Sequence, residues 1–62
     1  MKSMWRVIER PVAGRIFYQA YRLNDVCADN TEQNRETEGG YYDTRKDAED
    51  LADKLNRRAR DE

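Results

Sequence analysis

The side chains in this sequence best equipped for chemistry are its arginines. Arg6, Arg10, Arg15 and Arg22 fall in the first 22 residues of the chain, interleaved with Trp5, Phe17, Tyr18 and Tyr21. Guanidinium groups beside aromatic rings are the chemistry of phosphate contact with stacking. The same arginines also serve as a charged sheet edge that resists aggregation. The edge role needs no ligand and is preferred on the sequence.

Other constellations fall short of a reaction. Asp25, Asp29 and Glu36 take the first, fifth and twelfth positions of a calcium-loop spacing. The third position is Cys27, a poor ligand for a hard cation, and the sixth is Asn30 where glycine is needed. A solvated acidic loop accounts for the same residues, and no metal is expected. Cys27 has no histidine anywhere in the chain to activate it, so it reads as a small hydrophobe. Asp47, Glu49, Asp50 and Asp53 form a solvated helical stripe rather than an acid–base pair. Gly39-Gly40 lacks the lysine and spacing of a phosphate loop. Neither an enzyme nor a cofactor is expected.

Sixty-two residues make one small domain, close to the lower limit for folding without staples. The charged fraction is 40%, yet the formal net charge is only -1, with 12 Lys and Arg against 13 Asp and Glu. Patterned aliphatics and aromatics accompany that charge and argue against disorder. Any basic surface must therefore be local, because a nucleic-acid binder usually carries a basic excess. No apolar run approaches the roughly 18 residues of a membrane span. The single cysteine cannot form an internal disulfide, and the start lacks the apolar core of a signal peptide. A cytoplasmic location is expected.

The elements that must position these side chains follow from periodicity. Residues from about 4 to 10 alternate as a strand, with Trp5, Val7 and Glu9 on one side and Met4, Arg6, Ile8 and Arg10 on the other. Pro11 borders that strand, and Ala13-Gly14 supplies a hairpin turn. A second strand covers about 15–23. Both of its faces carry apolar atoms; Ile16, Tyr18 and Ala20 are placed under the helix, since a small residue permits close approach. Residues 24–38 are polar and form a long loop, whose end (from Asn34) extends toward a third strand centred on about 39–43. A helix over about 45–60 follows, with Ala48, Leu51, Ala52, Leu55 and Ala59 on one face. Thr44 stands at its N-cap, with Asp47 as partner in a capping box. Asp50–Lys54 and Asp53–Arg57 are expected ion pairs. Arg57, Arg58 and Arg60 meet the exposed carbonyls at its end.

The expected fold class is α+β: a three-stranded antiparallel sheet with one carboxyl-terminal helix packed on one face, in the order β-β-β-α. One helix covers one side of such a sheet. The other side is expected to present Arg6, Ile8, Arg10, Arg15, Phe17, Gln19 and Tyr21, joined by Tyr41 or Tyr42. Rings beside arginines on that scale mark an interaction surface, unless loop 24–38 folds over them or the arginine stems lie along the rings.

The run Gly39-Gly40-Tyr41-Tyr42-Asp43-Thr44-Arg45-Lys46-Asp47-Ala48 resembles the strand-to-helix junction of two DNA-binding families. They are the APETALA-type domains of plant transcription factors and the arm-binding amino-terminal domains of phage-type integrases. The turn Pro11…Gly14-Arg15 is also similar. Both families lay a three-stranded sheet into the major groove, and the resemblance implies Arg6, Arg10, Arg15 and Gln19 as DNA-facing residues. Those domains are generally basic, and this chain is not. Across nearly its whole length, notably Tyr21-Arg22-Leu23 and Asn34-Arg35-Glu36, the chain looks like a group of small uncharacterised bacterial proteins, some from mobile elements. That likeness brings no function with it. The expectation is a non-enzymatic interaction module whose open sheet face takes a protein partner or self-associates weakly. Accessory DNA binding is the alternative, and no membrane partner is expected.

Overall fold

The computed structural model describes residues 1–60, the side chain of Arg60 excepted. Strand β1 (Arg6–Val12) and strand β2 (Arg15–Leu23) form an antiparallel hairpin. Its turn is Ala13-Gly14, with φ of 50° and 81°. Positive φ at both central residues is the requirement of the hairpin turn whose twist matches that of the strands. Pro11 lies inside β1, paired with Ile16, instead of bordering the strand. An edge strand tolerates it, because an outward-facing position has no ladder bond to lose. The strand also starts at Arg6, not Met4.

Strand β3 (Arg35–Tyr42) begins four residues before the glycine pair, preceded by a 3-10 turn at Glu32–Asn34. The loop is thereby shortened to 24–34. The three strands stand in the order β1-β2-β3, all antiparallel. Pairing shifts between Tyr18↔Tyr42 and Ala20↔Glu38, so β3 bulges opposite Gln19. Gly39 carries that bulge at φ 72°, and a Cβ there would lie 2.9 Å from Leu51 Cδ2. Only glycine meets both conditions at low cost.

Helix α1 (Arg45–Arg60) starts where the sequence predicts, with the Asp47 N–H donating to Thr44 Oγ1 at 3.3 Å. Ala48, Ala52 and Leu55 are buried and Leu51 is half-buried, but Ala59 is exposed, so the apolar stripe ends one turn early. Neither expected acid-first ion pair forms among the described residues; Asp50 instead pairs with Lys46 at 3.7 Å. The core is Trp5, Ala20, Ala52 and Leu55, flanked by Val7 and Leu51. Ala20 is fully buried, and its small size lets the helix lie close to the sheet. Tyr18 shares its side, half-buried beneath the Arg45 guanidinium, 5.3 Å from the ring centre. Ile16 has the same orientation but is 53% exposed, because α1 does not reach the hairpin end. No helix among the described residues is long and apolar enough to cross a membrane.

Candidate interaction face

Cross-strand partners share a face of a sheet, so the register sorts the charges. Arg6↔Tyr21, Ile8↔Gln19, Arg10↔Phe17 and Val12↔Arg15 stand on the side away from α1, as do Tyr21↔Thr37 and Leu23↔Arg35. The strand carboxylates point the other way: Glu9 pairs with Tyr18, Glu36 with Arg22 and Glu38 with Ala20. The open side thus holds Arg6, Arg10, Arg15 and Arg35 with no acidic residue from any strand. Within a chain of net charge -1, the strands set four arginines on one face, and the carboxylates nearest to them, Glu32 and Asp43, come from outside the strands.

The seven residues expected on this face all stand on it, but they divide into two zones. At the Leu23 end, residues 24–34 fold back over the sheet. Glu32 Oε1 accepts from Arg10 Nη1 at 2.7 Å and lies 3.6 Å from Arg35 Nη1. Arg10 Nε also donates to Gln19 Oε1 at 3.4 Å, and the Arg35 guanidinium sits 5.7 Å above the Tyr21 ring. Tyr21 is consequently 7% exposed and Gln19 9%. The expectation of an open patch is corrected for these two: a short turn and two flattened arginine stems exclude water from them.

At the hairpin end the face is open. Phe17 and Tyr41 stack with ring centres 6.0 Å apart and planes inclined at 26°. Arg15 covers Phe17 at 5.2 Å, while Tyr41 is 53% exposed. Alternation from Thr37 separates the two tyrosines: the bulge adds two residues to β3, so Tyr41 stays on the Thr37 side and Tyr42 on the helix side, opposite Tyr18. Arg15 also approaches Asp43 at 3.6 Å, with both side chains in water. Arg6 is exposed and forms no ion pair among the described residues.

Three residues of the arginine–aromatic set, Trp5, Tyr18 and Arg22, belong to the other side. Trp5 is buried in the core, under the Arg22 guanidinium at 4.6 Å. Arg22 Nε donates to Glu36 Oε2 at 2.7 Å, and Lys2 Nζ reaches the same oxygen at 3.2 Å. Those two hydrogen bonds, from Arg22 first and then Lys2, hold the Glu36 carboxyl below its ordinary pKa. Glu32 is likewise held low, by its hydrogen bond from Arg10, by that guanidinium's charge and by Arg35.

Two of the three acids in the calcium-like spacing are committed elsewhere. Asp25 Oδ1 accepts from the Cys27 N–H at 3.0 Å, and Glu36 is bound by Arg22 and Lys2. No group of three or more His, Cys, Asp or Glu among the described residues is placed to hold a metal ion.

Arg35 and Glu32 escaped the sequence reading. Alternation backward from Thr37 reaches Arg35 once β3 is extended, so its side was readable. The position of Glu32 over the sheet was not, because a turn folded across long-range partners leaves no periodic trace. No family model, curated protein or solved structure matches this chain.

Proposed function

We propose that this is a non-enzymatic nucleic-acid-binding module that presents its open sheet face to a duplex. The observation that carries the proposal is the segregation of charge by strand register. Arg6, Arg10, Arg15 and Arg35 face away from the helix, and Glu9, Glu36 and Glu38 face toward it. A protein partner would not require that sorting, whereas phosphates would be repelled by any one of the three carboxylates.

Dimensions agree. Three strands at about 4.8 Å spacing put the outer strand axes roughly 10 Å apart, against a major groove about 12 Å wide. Arg6 and Arg15 lie at opposite ends of the hairpin, roughly 20 Å apart along it, and contact backbone phosphates. The Phe17–Tyr41 pair fills the space between as a rigid apolar surface for sugar and base edges. Two or three phosphate contacts make for weak, salt-sensitive binding that suits an accessory role.

The test is titration of a random-sequence duplex of about two helical turns. Affinity should fall about ten- to fortyfold between roughly 50 and 200 mM salt, a log–log slope of about -1.8 to -2.7. Absence of binding at the lower salt would remove the proposal.

A protein-binding role is the second reading, favoured by the exposed Val12, Ile16 and Tyr41 around the hairpin end. Light scattering over a concentration series separates its two forms: growth in mass indicates self-association, and a constant monomer leaves a foreign partner.

A further inference from the structure

We infer that Arg10 and Arg35 form a backbone-phosphate site on the sheet face, and that Glu32 is the competitor built into it. The inference rests on the nucleic-acid reading above and deepens it. Both guanidinium groups converge on a single oxygen, Glu32 Oε1, at 2.7 and 3.6 Å. Each is braced from a second direction, Arg10 by Gln19 Oε1 and Arg35 by Asn30 Oδ1 at 2.8 Å. Two oriented guanidiniums around one anionic oxygen are the geometry of a phosphate clamp.

The carboxylate is delivered there by a built turn. Asn34 Oδ1 accepts from the Asp25 N–H at 2.9 Å, and its Nδ2 donates to the carbonyls of Asp25 and Asp29 at 2.9 and 3.0 Å. The Asn24 N–H donates to the Asn34 carbonyl at 2.8 Å, closing the loop at its base. Glu32 is therefore held over the arginines. Its own side chain is nonetheless 73% exposed. Water reaches the pair from the carboxylate side, the Arg10 and Arg35 side chains being only 22% and 17% exposed, so a phosphate oxygen approaching from that side can replace the carboxylate while the Asn34 bonds keep the turn. The arginines are already oriented for it, and little further ordering is required.

Substituting Glu32→Gln removes the charge while keeping the side chain's size. The duplex should then bind about three- to tenfold more tightly at roughly 50 mM salt, with a log–log slope steeper by about 0.9, the signature of one added phosphate. Glu32→Ala should shift both quantities in the same direction. Arg10→Gln in the Glu32→Gln background should cancel the gain. A thermal unfolding curve on each variant establishes that the fold is retained. If the wild type binds and neither Glu32 variant changes affinity or slope, Glu32 is an ordinary surface partner and the inference is overturned alone. If neither wild type nor variant binds at the lower salt, the nucleic-acid reading falls and takes the inference with it.

Discussion

Asn56 on helix α1 closes two hydrogen bonds on the backbone of Trp5. Its Oδ1 accepts from the Trp5 N–H at 2.7 Å, and its Nδ2 donates to the Trp5 carbonyl at 3.1 Å. A side-chain amide thus imitates one residue of a neighbouring strand where the chain enters edge strand β1. The same contact pins the indole that anchors the core.

Asn56→Ala should therefore destabilise the fold by about 1–3 kcal/mol, since it strands two half-buried backbone groups. A cavity of about 280 Å³ beside them, lined by Met4, Trp5 and Ala59, admits water and keeps the loss toward the lower end. In a domain this small, thermal unfolding should move down by about 4–8 °C per kcal/mol.

Backbone geometry separates the two adjacent glycines. Gly39→Ala should cost roughly 2 kcal/mol or more, from positive φ and the collision with Leu51. At Gly40 an added Cβ meets nothing within 4 Å, so Gly40→Ala should be near neutral. Conversely, Ala13→Asn should stabilise by about 0.5–1 kcal/mol, because asparagine tolerates the φ of 50° there. Urea midpoints measured in parallel rank the three.

Acid should weaken the fold in a defined window. Glu32 and Glu36 bind protons less readily when folded than their ordinary value of 4.5 allows. The unfolded chain then takes up more protons, so the stability they confer is complete above about 4.5 and is lost as pH falls through the lower folded-state values. Glu32 is largely in water and Glu36 about one-third exposed, which makes the loss modest and sensitive to salt. Glu36→Gln should lower stability at neutral pH, and its difference from wild type should close in acid. A constant difference across that range would contradict the assignment.

The arginines should divide by face. Arg6→Gln and Arg15→Gln should each flatten the salt dependence of duplex binding by about 0.9 with little change in stability. Arg22→Gln should do the reverse. It removes the cover of Trp5 and a hydrogen bond to Glu36, for about 1 kcal/mol, and leaves the salt slope alone. Equal effects from both sets in a binding titration would dissolve the distinction.

Local rules made much of the fold legible. The Ala48, Leu51, Ala52, Leu55 series and Thr44 located the helix and its first residue, because helical period and capping depend on neighbours within a turn. Alternation placed Arg6, Ile8 and Arg10 opposite Val7, and small Ala20 chose the phase of β2. Boundaries were less readable: Pro11 extends into β1 because that strand has a free edge, which sequence order does not reveal.

What the chain by itself determined is which side chains share a face, since the pleat repeats every two residues whatever surrounds it. Tertiary structure alone decided what that face keeps exposed. The Gly39 bulge brings Tyr42, not Gly40, opposite Tyr18, while Tyr41 keeps the outward side that alternation gives it, beside Phe17. The Asn34-centred turn brings Glu32 onto Arg10 across 22 positions and closes Tyr21 from water. Contacts over such separations form only after the sheet exists to receive them, so no periodicity in the sequence records them.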